Sequence, residues 1–167
     1  MKIKKIYLDM DGVITDFRKK YVELFNVNPS GYRERKEEEN GYWDQFVDGS
    51  NFEKLEWYPG GVELMKEIRQ LNIPIEILTS SGGKKHHDAV AEQKKVWLKT
   101  QGFTYPVNVV PGRDKKAAFA TSDSILIDDT ADVIEGFNAA GGIGILHNGD
   151  VRQTIETLKK HLDEVTI

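Results

Sequence analysis

Lys5-Ile6-Tyr7-Leu8-Asp9-Met10-Asp11-Gly12-Val13 is the stretch that decides the fold: an apolar run delivers two carboxylates, one residue apart, into a glycine turn. The run has the length and composition of a strand. An isolated carboxylate is costly to hold away from water. Two on one turn also repel each other, so a cation beside them is the simplest remedy. An all-oxygen donor set of this kind suits Mg²⁺. Taken alone, the stretch is also satisfied by a strand followed by a polar Asp-Gly turn. The segments further along the chain decide between the two.

Ile75-Glu76-Ile77-Leu78 runs into Thr79-Ser80-Ser81-Gly82-Gly83, which places hydroxyls and glycines at a second strand end. Ser124-Ile125-Leu126-Ile127 runs into another acidic pair, Asp128-Asp129, and Arg113-Asp114-Lys115-Lys116 lies between the two. Strands are predicted near 3–9, 73–78, 106–110, 124–127 and 142–146. They alternate with helical patterns, the signature of βαβ units and a parallel sheet. Leu64, Met65, Ile68 and Leu71 recur at helical spacing after Pro59-Gly60-Gly61. A helix near 88–101 turns Ala89, Val90, Val96 and Trp97 inward, and Val133, Ile134, Phe137 and Ala140 form the next stripe, stopped by Gly141-Gly142. The last helix starts at Asp150 with Gln153 three residues on, the spacing of a capping box.

In a doubly wound sheet, ligands bind beyond the carboxyl ends of the strands. Asp9, Thr79 and Asp128 each fall at such an end, so three distant segments are expected to meet in one pocket. Lys115 follows a strand by a short loop and is expected there too. Lys116 is its alternative, because adjacent helical residues point about 100° apart and only one can face the pocket. No glycine-rich Walker loop is present to cradle a nucleoside triphosphate.

Residues 17–58 break the strand–helix rhythm. They contain no clear strand but hold ten of the sixteen aromatic residues, which predicts a small helical cap inserted after the first strand. The predicted division is a catalytic core of 1–16 and 59–167 with a cap of 17–58. Most of these aromatics are expected to form the cap's own core, since a small subdomain needs large side chains to bury enough area. One or more of Phe17, Tyr21, Tyr42, Trp43 and Phe46 are expected to line the cleft opposite Asp9. The run Arg33-Glu34-Arg35-Lys36-Glu37-Glu38-Glu39 is expected to be a solvated helix face.

A chain of 167 residues suffices for one domain with a full core. Its net charge of −4 is unlike a nucleic-acid-coating surface, which argues against long DNA or RNA as a partner. Without cysteine there is no disulfide, no thiolate–metal site and no cysteine nucleophile. No run approaches the ~18 apolar residues that span a bilayer. The expected setting is cytoplasmic, and a homodimer stays open. Adjacent His86 and His87, without a third histidine nearby, are weak metal ligands. Trp97 is expected in the core, and His147 in a structural role.

An Asp-x-Asp, a Thr-Ser, a Lys and an Asp-Asp in this order resemble the four motifs of the haloacid-dehalogenase-like (HAD) superfamily. The resemblance implies a three-layer Rossmann-like α/β fold. It also implies that Asp9 is a nucleophile forming an aspartyl phosphate, with Asp11 as the acid–base residue. Mg²⁺ would sit on the Asp9 carboxylate, the Asp11 carbonyl and Asp128, with Asp129 acting through water. Thr79 and the Ser80 amide would bind phosphoryl oxygens, and Lys115 would neutralise charge on the phosphate. Within the superfamily, Asp-Met-Asp-Gly-Val at 9–13, Leu-Thr-Ser at 78–80, Lys94 three before Trp97, Arg-Asp-Lys at 113–115 and Leu-Ile-Asp-Asp at 126–129 are most similar to the 5′(3′)-deoxyribonucleotidases. By that resemblance Lys94 is a phosphate ligand; by its helical position alone it is an exposed lysine. Two departures, Thr130-Ala131 for the family's Arg-Pro and Ser81-Gly82-Gly83 where a Pro often follows Thr-Ser, lie near the phosphate or sugar. The implied activity is Mg²⁺-dependent hydrolysis of nucleoside monophosphates. A sugar phosphatase, a polynucleotide 3′-phosphatase and a non-catalytic binding protein are the alternatives.

Overall fold

The computed structural model describes residues 2–29 and 37–165. The first part of the charged run, 33–36, and Tyr32 therefore lie outside the described residues. Five strands form one parallel sheet: β1 (Lys5–Leu8), β2 (Ile75–Ser80), β3 (Val107–Val110), β4 (Ser124–Asp128) and β5 (Ile143–Leu146), in the order β3-β2-β1-β4-β5. Among the described residues six α-helices accompany them: α1 (Phe17–Phe25), α2 (Glu37–Asp48), α3 (Gly61–Arg69), α4 (His87–Thr100), α5 (Ala131–Ala139) and α6 (Val151–Val165). Two 3₁₀ helices, Asn51–Lys54 and Arg113–Phe119, complete the set. The predicted strands and the helices after residue 59 are all present.

Alternation along the strands explains the layers. Ile6, Leu8, Ile75, Ile77, Ile125 and Ile127 belong to one apolar cluster with α3, α4 and α6. Leu78, Leu126 and Tyr7 face the other way, against α5 and Phe119. Right-handed crossovers require this division. The chain moves from β1 to β2 to β3 with α3 and α4 on one face, then crosses back and proceeds from β4 to β5 with α5 on the other. The sequence direction reverses at β1, so the crevice between β1 and β4 is the expected ligand site. Register makes the crevice usable: Leu8 is level with Ile127 on one side and with Ile77 on the other. Asp9, Asp128 and the Thr79-Ser80 pair therefore emerge at nearly the same height.

The segment between β1 and α3 is helical in its described part. Asp16 caps α1 by accepting from the Lys19 amide at 3.2 Å, and Asn26 ends the helix in the left-handed conformation. Its aromatics pack on one another, with Phe17 on Phe52 at 5.5 Å and Phe46 against Phe52 at 4.9 Å between ring centroids. They do not make a separate core. Tyr21, Phe46 and Phe52 join the same buried cluster as Leu8, Met10 and Trp97, and the Gln93 amide group of α4 donates to the Val47 carbonyl at 2.8 Å. Among the described residues no helix is long and apolar enough to cross a membrane.

Candidate active site

The β1 turn is built around one carbonyl. The Met10 oxygen accepts from the amides of Val13, Ile14 and Thr15 at 3.1, 2.7 and 2.9 Å. Gly12 adopts φ +82, a region that other residues enter at a cost. A Cβ on Gly12 would also lie 1.9 Å from Asp129 Oδ2. Glycine is needed here twice over, and its bareness lets Asp129, the residue after β4, close over the turn after β1. Asp9 ends β1, with its amide donating to the Ile127 carbonyl at 3.0 Å and its side chain almost fully buried.

Lys116 lies between the acids. Its Nζ donates to Asp9 Oδ1 at 2.9 Å and to Asp128 Oδ2 at 2.7 Å, and all three residues are buried. Lys115, the residue the resemblance assigns, is exposed instead. The reason is local: residues 113–119 form a 3₁₀ helix, whose threefold repeat sets Lys116 directly one turn beyond Arg113 and turns Lys115 outward. Asp128 also accepts from the Thr130 amide at 3.0 Å. Asp9, Asp128 and Asp129 each offer an oxygen within 4.8 Å of the others.

The electrostatics follow from this crowding. Burial, and then the neighbouring Asp128, raise the Asp9 carboxyl well above the usual range, with Lys116 pulling the other way. Burial alone would lower Lys116, but Asp9 and Asp128 together hold it above its ordinary value. Asp129 is exposed as a residue, yet its carboxyl leans over Gly12. Lost hydration there and repulsion from Asp128 push it up to about 6.

A second cation organises the other wall. Lys94, on α4 and 1 % exposed, donates to Thr79 Oγ1 at 2.7 Å, to the Ser80 carbonyl at 2.8 Å and to Asp11 Oδ2 at 3.1 Å. Thr15 Oγ1 donates to the other Asp11 oxygen at 2.8 Å. The pieces expected to meet do meet: Asp9, Asp11, Thr79, Ser80, Asp128 and Asp129 line one cleft of about 330 Å³.

This chain matches the family model "5′ nucleotidase, deoxy (pyrimidine), cytosolic type C protein" over residues 2–165. The chain belongs to this family. Solved structures agree on the fold at low identity. The Bacillus subtilis HAD-hydrolase YfnB, bound to magnesium, superposes with TM-score 0.58 at 14 % identity, covering 97 % of this chain and 99 % of that one. A hydrolase from Streptococcus pneumoniae TIGR4 gives 0.54 at 16 %, covering 98 % and 100 %. A HAD-superfamily hydrolase from Ehrlichia chaffeensis gives 0.55 at 11 %, with both chains fully covered. No curated protein matches the chain by sequence. The chain is a HAD-fold phosphatase of the nucleotidase family.

Around the cleft of this nucleotidase-family member, the expected aromatic set divides. Phe17 lines the cleft. Tyr21 and Phe46 are buried in the core, Tyr42 stacks on Phe25 at 4.7 Å, and Trp43 covers Gly82, 2.9 Å from where a Cβ would stand. Residues outside the predicted set line it as well, among them Arg18, Tyr58 and Arg113. Tyr58 had a signal, since it precedes Pro59-Gly60, where the chain rejoins the sheet and the Tyr58 amide donates to the Ile14 carbonyl at 2.7 Å. Arg113 is turned toward Asp132, with Nη2 at 2.8 Å from Oδ2. The histidines stand apart from the acids of the cleft. His86 Nε2 meets Asp44 Oδ1 at 2.5 Å, which ties α2 to the loop after β2. His87 pairs with Ser81, and buried His147 pairs with Thr154, both at 2.7 Å.

Proposed function

We propose that this chain is a Mg²⁺-dependent phosphomonoesterase that dephosphorylates deoxynucleoside monophosphates through a phosphorylated Asp9. The observation that carries the reading is the buried Asp9 carboxylate, held by Lys116 at the floor of a cleft whose wall holds Asp11 clamped from both sides. The donor set fits the metal: three carboxylates with oxygens within 4.8 Å of one another and no sulfur or imidazole among them. Asp9, Asp128 and Asp129 would hold Mg²⁺, with the Asp11 carbonyl. When bound, the ion supplies charge that screens the acids from each other and from the phosphoryl oxygens.

The protein's own groups divide the work. An Asp9 oxygen attacks phosphorus, and the bond from phosphorus to the leaving oxygen breaks. Asp11 gives that oxygen its proton and is left as a carboxylate. It then takes a proton from water, whose oxygen attacks the phosphorus of phospho-Asp9, freeing inorganic phosphate and restoring the Asp9 carboxylate. Lys116 keeps Asp9 oriented and offsets charge throughout. Ser80, half-buried at the cleft wall, offers its amide to a phosphoryl oxygen.

Recognition of the leaving group falls to the cleft mouth, where the 17–58 segment acts as the cap. Phe17 and Tyr58 give it two aromatic rings, and stacking on a nucleobase is worth about 1–3 kcal/mol per base. Phosphate release from a panel of deoxynucleoside, ribonucleoside and sugar monophosphates, with Mg²⁺ and after chelation, tests the reading. Preference for the deoxynucleotides and loss of activity in chelator support it. A preference for sugar phosphates overturns the substrate, and full activity without metal overturns the metal.

A further inference from the structure

The geometry points to Lys94 as a positioning residue that locks the Asp11 carboxylate to the end of β2 and makes no contact of its own with the phosphoryl group. An ammonium has three protons and no acceptor. All three are committed: one to Thr79 Oγ1, one to the Ser80 carbonyl and one to Asp11 Oδ2, at 2.7, 2.8 and 3.1 Å. Beneath them the Phe52 ring centroid lies 5.2 Å from Nζ. With 1 % of the residue exposed, a phosphoryl oxygen has neither a free proton to accept nor a path to the nitrogen. Lys116 already supplies the cation on Asp9, so the two buried lysines have different tasks.

Lys94 joins three elements that the sheet alone does not hold together. It reaches from α4 to the last two residues of β2 and to the turn after β1. Asp11 is held on both oxygens, by Lys94 on Oδ2 and by Thr15 on Oδ1, and these two contacts remove the rotation its half-exposed side chain would otherwise have. An acid–base group must stand within hydrogen-bond reach of the proton it moves. A misplacement of about 1 Å costs on the order of 10²-fold. The inference rests on the phosphatase reading and refines it: Asp11 moves the proton, and Lys94 places Asp11.

Lys94→Met keeps the unbranched apolar stem, one atom shorter, and removes its donors. With p-nitrophenyl phosphate and Mg²⁺, kcat is expected to fall about 10–100-fold. The affinity for inorganic phosphate, measured by calorimetry on the Mg²⁺-supplemented protein, is expected to change less than about threefold, because no phosphate ligand has been lost. In an Asp11→Asn background, the kcat deficit from Lys94→Met is expected to shrink to within about threefold, since residues acting as one unit are non-additive. Lys94→Gln, which keeps an amide donor, carries the same three measurements if the methionine variant does not fold. A fall of about tenfold or more in phosphate affinity makes Lys94 a phosphate ligand and overturns the proposal. An unchanged kcat overturns it as well, and so does a deficit that persists in full without Asp11. A wild-type protein that releases phosphate from no ester overturns the phosphatase reading instead, which separates the two failures.

Discussion

Gly12→Ala tests how the turn after β1 and Asp129, the residue after β4, share one space. Gly12 has φ +82, and an L-residue there costs about 1–2 kcal/mol. The added methyl would stand 1.9 Å from Asp129 Oδ2 and 2.5 Å from its Cγ, distances no real contact tolerates. The obstructing atoms are the end of one side chain rather than backbone, so the Asp129 carboxyl rotates away and the stability cost stays near the backbone value. For a chain of this size each 1 kcal/mol moves Tm by about 2–4 °C, so a fall of about 2–8 °C is expected by calorimetry. The functional cost is larger, because rotation carries an Asp129 oxygen out of the acidic cluster. Disturbing the groups that orient a metal ligand typically costs about 10–100-fold in affinity. The Mg²⁺ concentration for half-maximal phosphate release should rise by that factor. In an Asp129→Ala background the Tm loss should remain while the Mg²⁺ effect disappears. A Gly12→Ala protein with unchanged Mg²⁺ dependence would refute the reasoning, as would an equal shift with and without the Asp129 carboxyl.

Lys116→Met leaves Asp9 and Asp128 facing each other in a buried site. Removing one partner of a buried ion pair costs about 3–5 kcal/mol, so denaturant unfolding without Mg²⁺ should show a loss of that order, with part recovered when Mg²⁺ is added. His147 is held below its ordinary pKa by burial. The unfolded chain therefore takes up a proton first as pH falls, so the histidine's contribution to stability is complete above about 6.5 and is lost as pH drops below it. Unfolding midpoints of wild type and His147→Gln between pH 7.5 and 5 should show a shallower slope for the variant. Phe17→Ala should raise KM for deoxynucleotides about tenfold, the equivalent of ~1.4 kcal/mol of stacking, and leave KM for a small unstacked ester unchanged in steady-state assays.

The sheet and the acids were legible because both depend on local signals. Lys5–Leu8 and Ser124–Asp128 are short apolar runs ending in carboxylates, and a parallel sheet brings such ends together whatever lies between. Lys116 was legible only as one of two, because the choice depends on whether residues 113–119 wind as an α-helix or a 3₁₀ helix, and their side chains do not encode that. The aromatic segment was harder. An aromatic at helical spacing reads the same whether it covers the sheet or faces the cleft, and Tyr21 and Phe46 turn out to extend the core under Leu8 and Met10. Tyr58 and Arg18 reach the cleft through the path of the chain. Arg18 sits in the first turn of α1, with Nη2 donating to Asn28 Oδ1 at 3.0 Å. Lys94 had a signal in its spacing from Trp97, but its three acceptors come from β2 and from the turn after β1, and only the fold assembles them.

The central claim is that Asp9 becomes phosphorylated, and Asp11→Asn is the protein in which to see it. That variant retains the nucleophile but lacks the group that protonates the leaving oxygen and activates water; phospho-Asp9 forms slowly in it and, with no base to release it, should accumulate. The measurement is to mix Asp11→Asn with a deoxynucleoside monophosphate and Mg²⁺, quench in acid and examine the peptide spanning Asp9 by mass spectrometry. A phosphoryl group on Asp9, absent when Asp9→Asn is treated in the same way, is the predicted result. An unmodified peptide from a variant that still releases nucleoside, or hydrolysis that survives Asp9→Asn, would contradict the account.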